Sequence, residues 1–216
     1  MTIQILTFAI FISAIVAIIY RQRKNNKMFS IFKPLTTILI ISLAVIIYQK
    51  APNTYTTLMI ASLLFALVGD IFLISKKYFL QGLSSFLIAH IGFTIGFASL
   101  FGFSWEIIPI VVLVLIGGLF FNVLRKELHK MTIPVLIYIS VILIMNWQAI
   151  GLVIHDQSIV FVVLAIGSLF FTISDAILAY DMFKKPFKAA EVLILSSYWL
   201  AIYIFTMQDY ILKCIN

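Results

Sequence analysis

Apolar runs of about 17 to 23 residues follow one another from end to end of this chain, a length that suits the hydrocarbon core of a bilayer. Inside lipid a backbone must satisfy its own N–H and C=O groups, and continuous runs of this length do so as helices. Composition agrees: 63% of the 216 residues are hydrophobic and 11% charged, which removes the soluble globular class. The expected fold class is an all-α integral membrane protein, multi-pass, placed in the inner or plasma membrane if the host is bacterial.

Eight spans are expected, at about 3–20, 34–49, 55–74, 80–100, 106–124, 131–148, 158–180 and 191–210, within a single transmembrane domain over 1–216. The first run is followed by RQRK and lacks a basic leading region, so it reads as a retained helix rather than a cleaved signal. Thirteen of the fifteen Lys and Arg residues fall after spans 1, 3, 5 and 7, the exceptions being Lys50 and Lys213. That asymmetry predicts both termini on the non-cytoplasmic side. It also accounts for the net charge of +7 without nucleic acid as a partner. The one cysteine, Cys214, allows neither an intrachain disulfide nor a cysteine metal site. Trp105, Trp147, Tyr55 and Tyr210 fall near outer span ends, as an aromatic belt predicts.

LFALVGDIFL (64–73) aligns without gaps to LFFTISDAIL (169–178), an offset of 105 residues that sets span 3 over span 7, with Gly69 facing Ser174. Pro34 is expected to open span 2, and Pro134 lies near the start of span 6. These matches suggest two parallel four-helix repeats, 1–104 and 105–216.

The aligned segments carry the residues most costly to place in lipid. A carboxylate at a helix centre costs roughly 2.5–3.5 kcal/mol on insertion scales, so Asp70 and Asp175 should face the bundle interior or a watery cavity. Asp70 lies about 9 Å of helix before Lys76, and Asp175 about 13 Å before Lys184, at similar depth. Small residues at Ser62 and Ala66 share the Asp70 face, and Gly167, Ser168, Phe171 or Thr172 trace the matching face of span 7. His90, in the middle of span 4, is placed to reach a cavity shared with Asp70. Asn122 and Asn146 suit interhelical hydrogen bonds. No GxSxG, HExxH or P-loop is present, which removes serine hydrolase, zincin and NTPase readings.

The segments GDIFLISKKYFLQGLSSFLIAHIGFTIGF (69–97), IPVLIYISVILIMNWQA (133–149) and GSLFFTISDAILAYDMF (167–183), with KPLTT at 33–37, resemble the YhhN and TMEM86 lysoplasmalogenase family over spans 2 to 8. The resemblance implies cleavage of the vinyl ether bond of a lysophospholipid substrate, a lysoplasmalogen drawn from the membrane lipid, giving a fatty aldehyde and glycerophosphoethanolamine or glycerophosphocholine. It implies Asp70 and Asp175 as the catalytic pair, with His90 and Tyr138 at matching family positions and no cofactor. Asn122, Ser174, Lys33 and Tyr198 join His90 and Tyr138 as candidate substrate contacts, Lys33, Lys76 or Lys77 meeting the phosphate. In span 8, Ile202 stands about where many relatives carry a glutamine.

The chemistry suits the residues independently. Vinyl ether hydrolysis needs one protonated acid and a nearby carboxylate or base, and two close aspartates in low dielectric tend to share a proton. A similar acid and anion flank the oxocarbenium-like transition state of glycosidases. Two other classes fit the aspartates: a proton-coupled transporter built from two repeats, and an intramembrane aspartyl protease, although Leu67 stands where GxGD needs its first glycine. A metal held by Asp70, Asp175 and His90 is a further alternative. The sequence sets no oligomeric state.

Overall fold

A computed structural model describes residues 2–215, with side chains through residue 212, so Lys213 and Cys214 lie outside the described side chains. Eight α-helices follow in order: α1 (Thr2–Gln22), α2 (Asn26–Lys50), α3 (Thr54–Phe72), α4 (Phe79–Phe101), α5 (Ile107–Leu128), α6 (Thr132–His155), α7 (Ile159–Phe183) and α8 (Ala190–Ile215). No strand occurs among the described residues. Seven helical segments are long and apolar enough to cross a membrane, α5 and α6 counting together as Ile107–His155 because a 3-10 turn at His129–Met131 joins them. The chain is a multi-pass integral membrane protein.

Helix starts follow from short polar side chains that satisfy free N–H groups. Asn25 Oδ1 accepts from the Met28 N–H at 3.2 Å, Asn53 Oδ1 from Thr56 at 2.8 Å, and Ser158 Oγ from Val160 at 3.4 Å. The Asn25 cap corrects the expected start of the second span. The helix begins at Asn26 and Pro34 lies inside it, where the ring removes the hydrogen bond to the Ser30 carbonyl. Lys33, expected in a loop, is thereby carried into the bundle and is buried. Tyr55 likewise leaves the expected aromatic belt: it is buried, its hydroxyl donating to the Phe205 carbonyl at 2.8 Å.

Packing is tightest between α3 and α4 and between α7 and α8. Across the bundle α2 meets α8 and α4 meets α6. The centre is a stack of sealed rings, Phe93, Phe97 and Phe171 around Phe205, with centroids 5.1 to 6.3 Å apart. α1 lies against both α2 and α8, whereas α5 packs on α6 and α7 and hardly touches α4. α5 and α6 form an antiparallel hairpin, its loop-distal end held by the Trp147 indole donating to the Glu106 carbonyl at 2.7 Å.

Lipid tails are as apolar as leucine, so helices in a bilayer gain by close fit rather than by leaving water. Gly92 is such a fit: a Cβ there would lie 2.2 Å from Ser62 Oγ on α3. Gly92→Val is expected to lower stability in detergent by about 1–3 kcal/mol through overpacking. Gly118→Ala, where a Cβ meets nothing within 4 Å, should hold stability or raise it by up to about 1 kcal/mol. Thermal unfolding of the two purified variants checks the contrast.

Candidate active site

Asp70 is buried in the bundle and Asp175 partly so, and each draws its partners from two other helices. Asp70, near the end of α3, is 1% exposed. Its Oδ2 accepts from Thr37 Oγ1 at 2.6 Å and from the Tyr198 hydroxyl at 2.9 Å. Lys33 Nζ faces Oδ1 at 3.6 Å, a charge contact longer than a hydrogen bond. Lys33 and Thr37 are four residues apart on α2 and so present one face to Asp70. The Trp199 indole donates to Thr37 Oγ1 at 3.4 Å and completes the seal.

Asp175, on α7, accepts from the Tyr138 hydroxyl of α6 at 2.9 Å, and His90 Nε2 of α4 lies 3.3 Å from the same Oδ2. The other ring nitrogen fixes the protonation. His90 Nδ1 is 2.7 Å from the Phe86 carbonyl, which can only accept, so Nδ1 carries a hydrogen. Nε2 has no hydrogen-bond partner of its own and lies 3.3 Å from the carboxylate oxygen, off the geometry of a hydrogen bond. The pair thus sets a ring nitrogen with no other partner beside a carboxylate. The imidazole is sealed from solvent, with the Phe171 and Tyr138 rings edge-on at 4.4 and 5.4 Å.

Gly69, which precedes Asp70, lets this geometry form. A Cβ there would lie 2.6 Å from the Phe86 ring, so glycine admits Phe86 against α3 and sets the turn of α4 that carries His90. At the aligned position Ser174 has a side chain, and its hydroxyl donates to the Ile194 carbonyl at 3.0 Å.

Exposure separates the two aspartates. The Asp175 side chain is 10% exposed and lies on the wall of a cavity of about 380 Å³ between α4, α5, α6 and α7. The cavity is apolar apart from Tyr138, Thr172 and Asp175. Asp70 does not line it.

Of the residues singled out by sequence, the structure gathers Lys33 and Tyr198 on Asp70, and His90 and Tyr138 on Asp175. His90 thus reaches Asp175 rather than Asp70. The two aspartates have separate hydrogen-bond partners. Ser174 binds α8 instead of facing the cavity, and Asn122 sits on the exposed face of α5, outside both clusters. Lys33 faces Asp70 rather than a phosphate at the membrane surface, where Lys76 and Lys77 are exposed. Asn146 donates to Thr172 Oγ1 at 2.6 Å and joins α6 to α7, as expected. Among the described residues no three His, Cys, Asp or Glu side chains converge as a metal cage requires, because Asp70 stands in the other cluster. Thr37 and Trp199 were not foreseen. The spacing of Thr37 from Lys33 was the available signal for the first.

The sequence model of the YhhN family matches residues 28–208, a stretch that carries both carboxylates and all their partners. The chain belongs to the YhhN family. Among relatives in this family, human lysoplasmalogenase TMEM86B is 28% identical over 173 residues, covering 78% of this chain and 71% of the relative. Human lysoplasmalogenase TMEM86A is 34% identical over 152 residues, covering 67% and 62%. The YhhN membrane protein of Escherichia coli O157:H7 is 32% identical over 124 residues, covering 55% and 57%, so the chain spans a little over half of that relative. No solved structure matches the chain.

Removing one member of a buried ion pair strands the other. Lys33→Met is expected to lower stability by about 3–5 kcal/mol, while Lys33→Met combined with Asp70→Asn regains most of that loss. Unfolding midpoints of the single and double variants in one detergent test this. A double variant no more stable than the single one would show that the charge pair is not what holds Asp70.

Proposed function

We propose that this chain is a membrane-embedded hydrolase that cleaves the vinyl ether bond of lysoplasmalogens to a fatty aldehyde and a glycerophospho head group. The observation that carries the reading is Asp175 on the wall of an apolar cavity, with the Tyr138 hydroxyl bonded to it and His90 sealed behind it. The names of the human relatives support the same substrate class.

In this reading Asp175 is the acid. It gives its proton to the vinyl carbon remote from oxygen, forming a C–H bond and leaving an oxocarbenium ion beside the new carboxylate. Tyr138 holds that carboxylate in place, and His90 supplies or returns the proton through Oδ2. Water then adds to the carbon bonded to oxygen, and its proton goes to the Asp175–His90 pair. The resulting hemiacetal breaks its C–O bond to aldehyde and alcohol, so one water is consumed and the pair ends as it began. Asp70 plays a different part: with Lys33, Thr37 and Tyr198 it forms a neutral, fully enclosed charge cluster that anchors α3 to α2 and α8. Asp175 and His90 therefore carry the chemistry that the sequence assigns to two aspartates.

The same reading includes eight membrane crossings with both termini non-cytoplasmic. Ile107–His155 would be about 74 Å as one rod, more than twice a hydrocarbon core of about 30 Å, and the break at His129 folds it into two spans. It also includes a duplicated four-helix unit. Asp70 on α3 draws on α2 and α8, and Asp175 on α7 draws on α6 and α4, so a shift of four helices around the bundle carries one set onto the other. The polar head of the substrate would sit where Phe79 and Phe183 meet at 5.6 Å, next to the exposed Lys76, Lys77 and Lys184.

Purified protein given a lysoplasmalogen should release aldehyde, measured with a coupled aldehyde dehydrogenase. Asp175→Asn and His90→Asn are expected to lose about 10²–10⁴-fold in kcat, and Tyr138→Phe about tenfold, the worth of one hydrogen bond to a charged group. Full activity in Asp175→Asn removes the mechanism. Uptake driven by a proton gradient, with the solute unchanged, would transfer the site to the transporter reading.

A further inference from the structure

The cavity beside Asp175 is too short for a membrane lipid. Along α7 the lining runs from Phe183 to Leu169, and Asp175 sits six residues before its deep end, about 9 Å of helix. A chain that fills one leaflet extends about 15 Å, half of the hydrocarbon core. A tail lying against Asp175 must therefore leave the protein.

The walls differ in how tightly they close. At the end near Phe183, α5 and α7 share a small core in which Leu124 and Leu128 are sealed and Ala179 and Phe183 pack against them. Deeper in the bundle the same two helices part. Ile116 of α5 is 59% exposed, and Leu169 and Ile173 of α7 are 44% and 48% exposed, yet all three line the cavity. Residues that both line a cavity and face outward mark its opening, and every side chain at this one is apolar.

We infer that the α5–α7 gap flanked by Ile116, Leu169 and Ile173 is a lateral window through which the hydrocarbon tail of a bound lysolipid passes into the bilayer. This rests on the hydrolase reading for the position of the reacting bond. The site then grips the head group, the vinyl ether and the first carbons, and leaves the remainder of the chain in lipid. Chain length beyond the window is not selected, because the emerging methylenes meet the same environment on or off the protein.

Two measurements test this. The first uses a saturated lysophosphatidylethanolamine, which has no vinyl ether to cleave, with a diazirine at the tail end, photolysed with the wild-type protein in nanodiscs. Adducts mapped by mass spectrometry should cluster on the outward faces of α5 and α7 around the window and be lost in Ile116→Trp with Leu169→Trp. Adducts spread evenly over the bundle, or gathered on α1 and α8, overturn the route. The second compares octenyl and octadecenyl lysoplasmalogens. The paired tryptophan variant should lose about tenfold or more on the long chain relative to the short one, and an equal loss on both overturns the window. Window adducts without aldehyde from either substrate would support the lipid route and remove the hydrolase reading.

Discussion

The bundle is organised around the cost of a carboxylate away from water. Neither Asp70 nor Asp175 can be held among apolar helices without donors or a compensating charge, and the two are satisfied in different ways. Asp70 has a lysine and two hydroxyls, a set that leaves no net charge and no access. Asp175 has a phenol and an imidazole whose far nitrogen is already committed to a carbonyl. The first is enclosed on every side, with Oδ1 left to the lysine charge alone. The second is open on one side, where Asp175 meets the cavity.

Much of the surrounding structure follows from bringing these partners together. α2 must run back far enough to place Lys33 and Thr37 on Asp70, which explains why it begins at Asn26 and tolerates Pro34 in its interior. α4 must lie close on α3 for His90 to turn toward α7, and Gly69 and Gly92 keep that seam free of side chains. The rings of Phe86, Phe171 and Tyr198 pack edge to face beside the two carboxylates.

Helices were legible in the sequence because a bilayer-length apolar run has few alternatives, and their number followed from counting runs. The importance of Asp70 and Asp175 was legible from cost alone. Partner assignment was not, since it depends on which helix crosses which, and period analysis along one helix carries no such information. Hence His90 was assigned to the nearer aspartate in sequence, and Lys33 to a phosphate at the surface. Asn122 looked suitable by residue type, but α5 turns that face outward. Pro34 misled through a sound rule: proline favours the first turn, yet a strong asparagine cap upstream outweighed one missing hydrogen bond.

The unequal seating of α1 and α5 has a consequence for how such a molecule acquires a function. If the halves began alike, each had a buried acid and an outer helix beside it. Where α1 settled onto α8, the acid behind it was walled in and became free to take a permanent cation. Where α5 leaned away from α4, the acid behind it kept a route to the lipid phase. The lean of one peripheral helix, rather than any change in the acids themselves, then decides which acid borders a cavity.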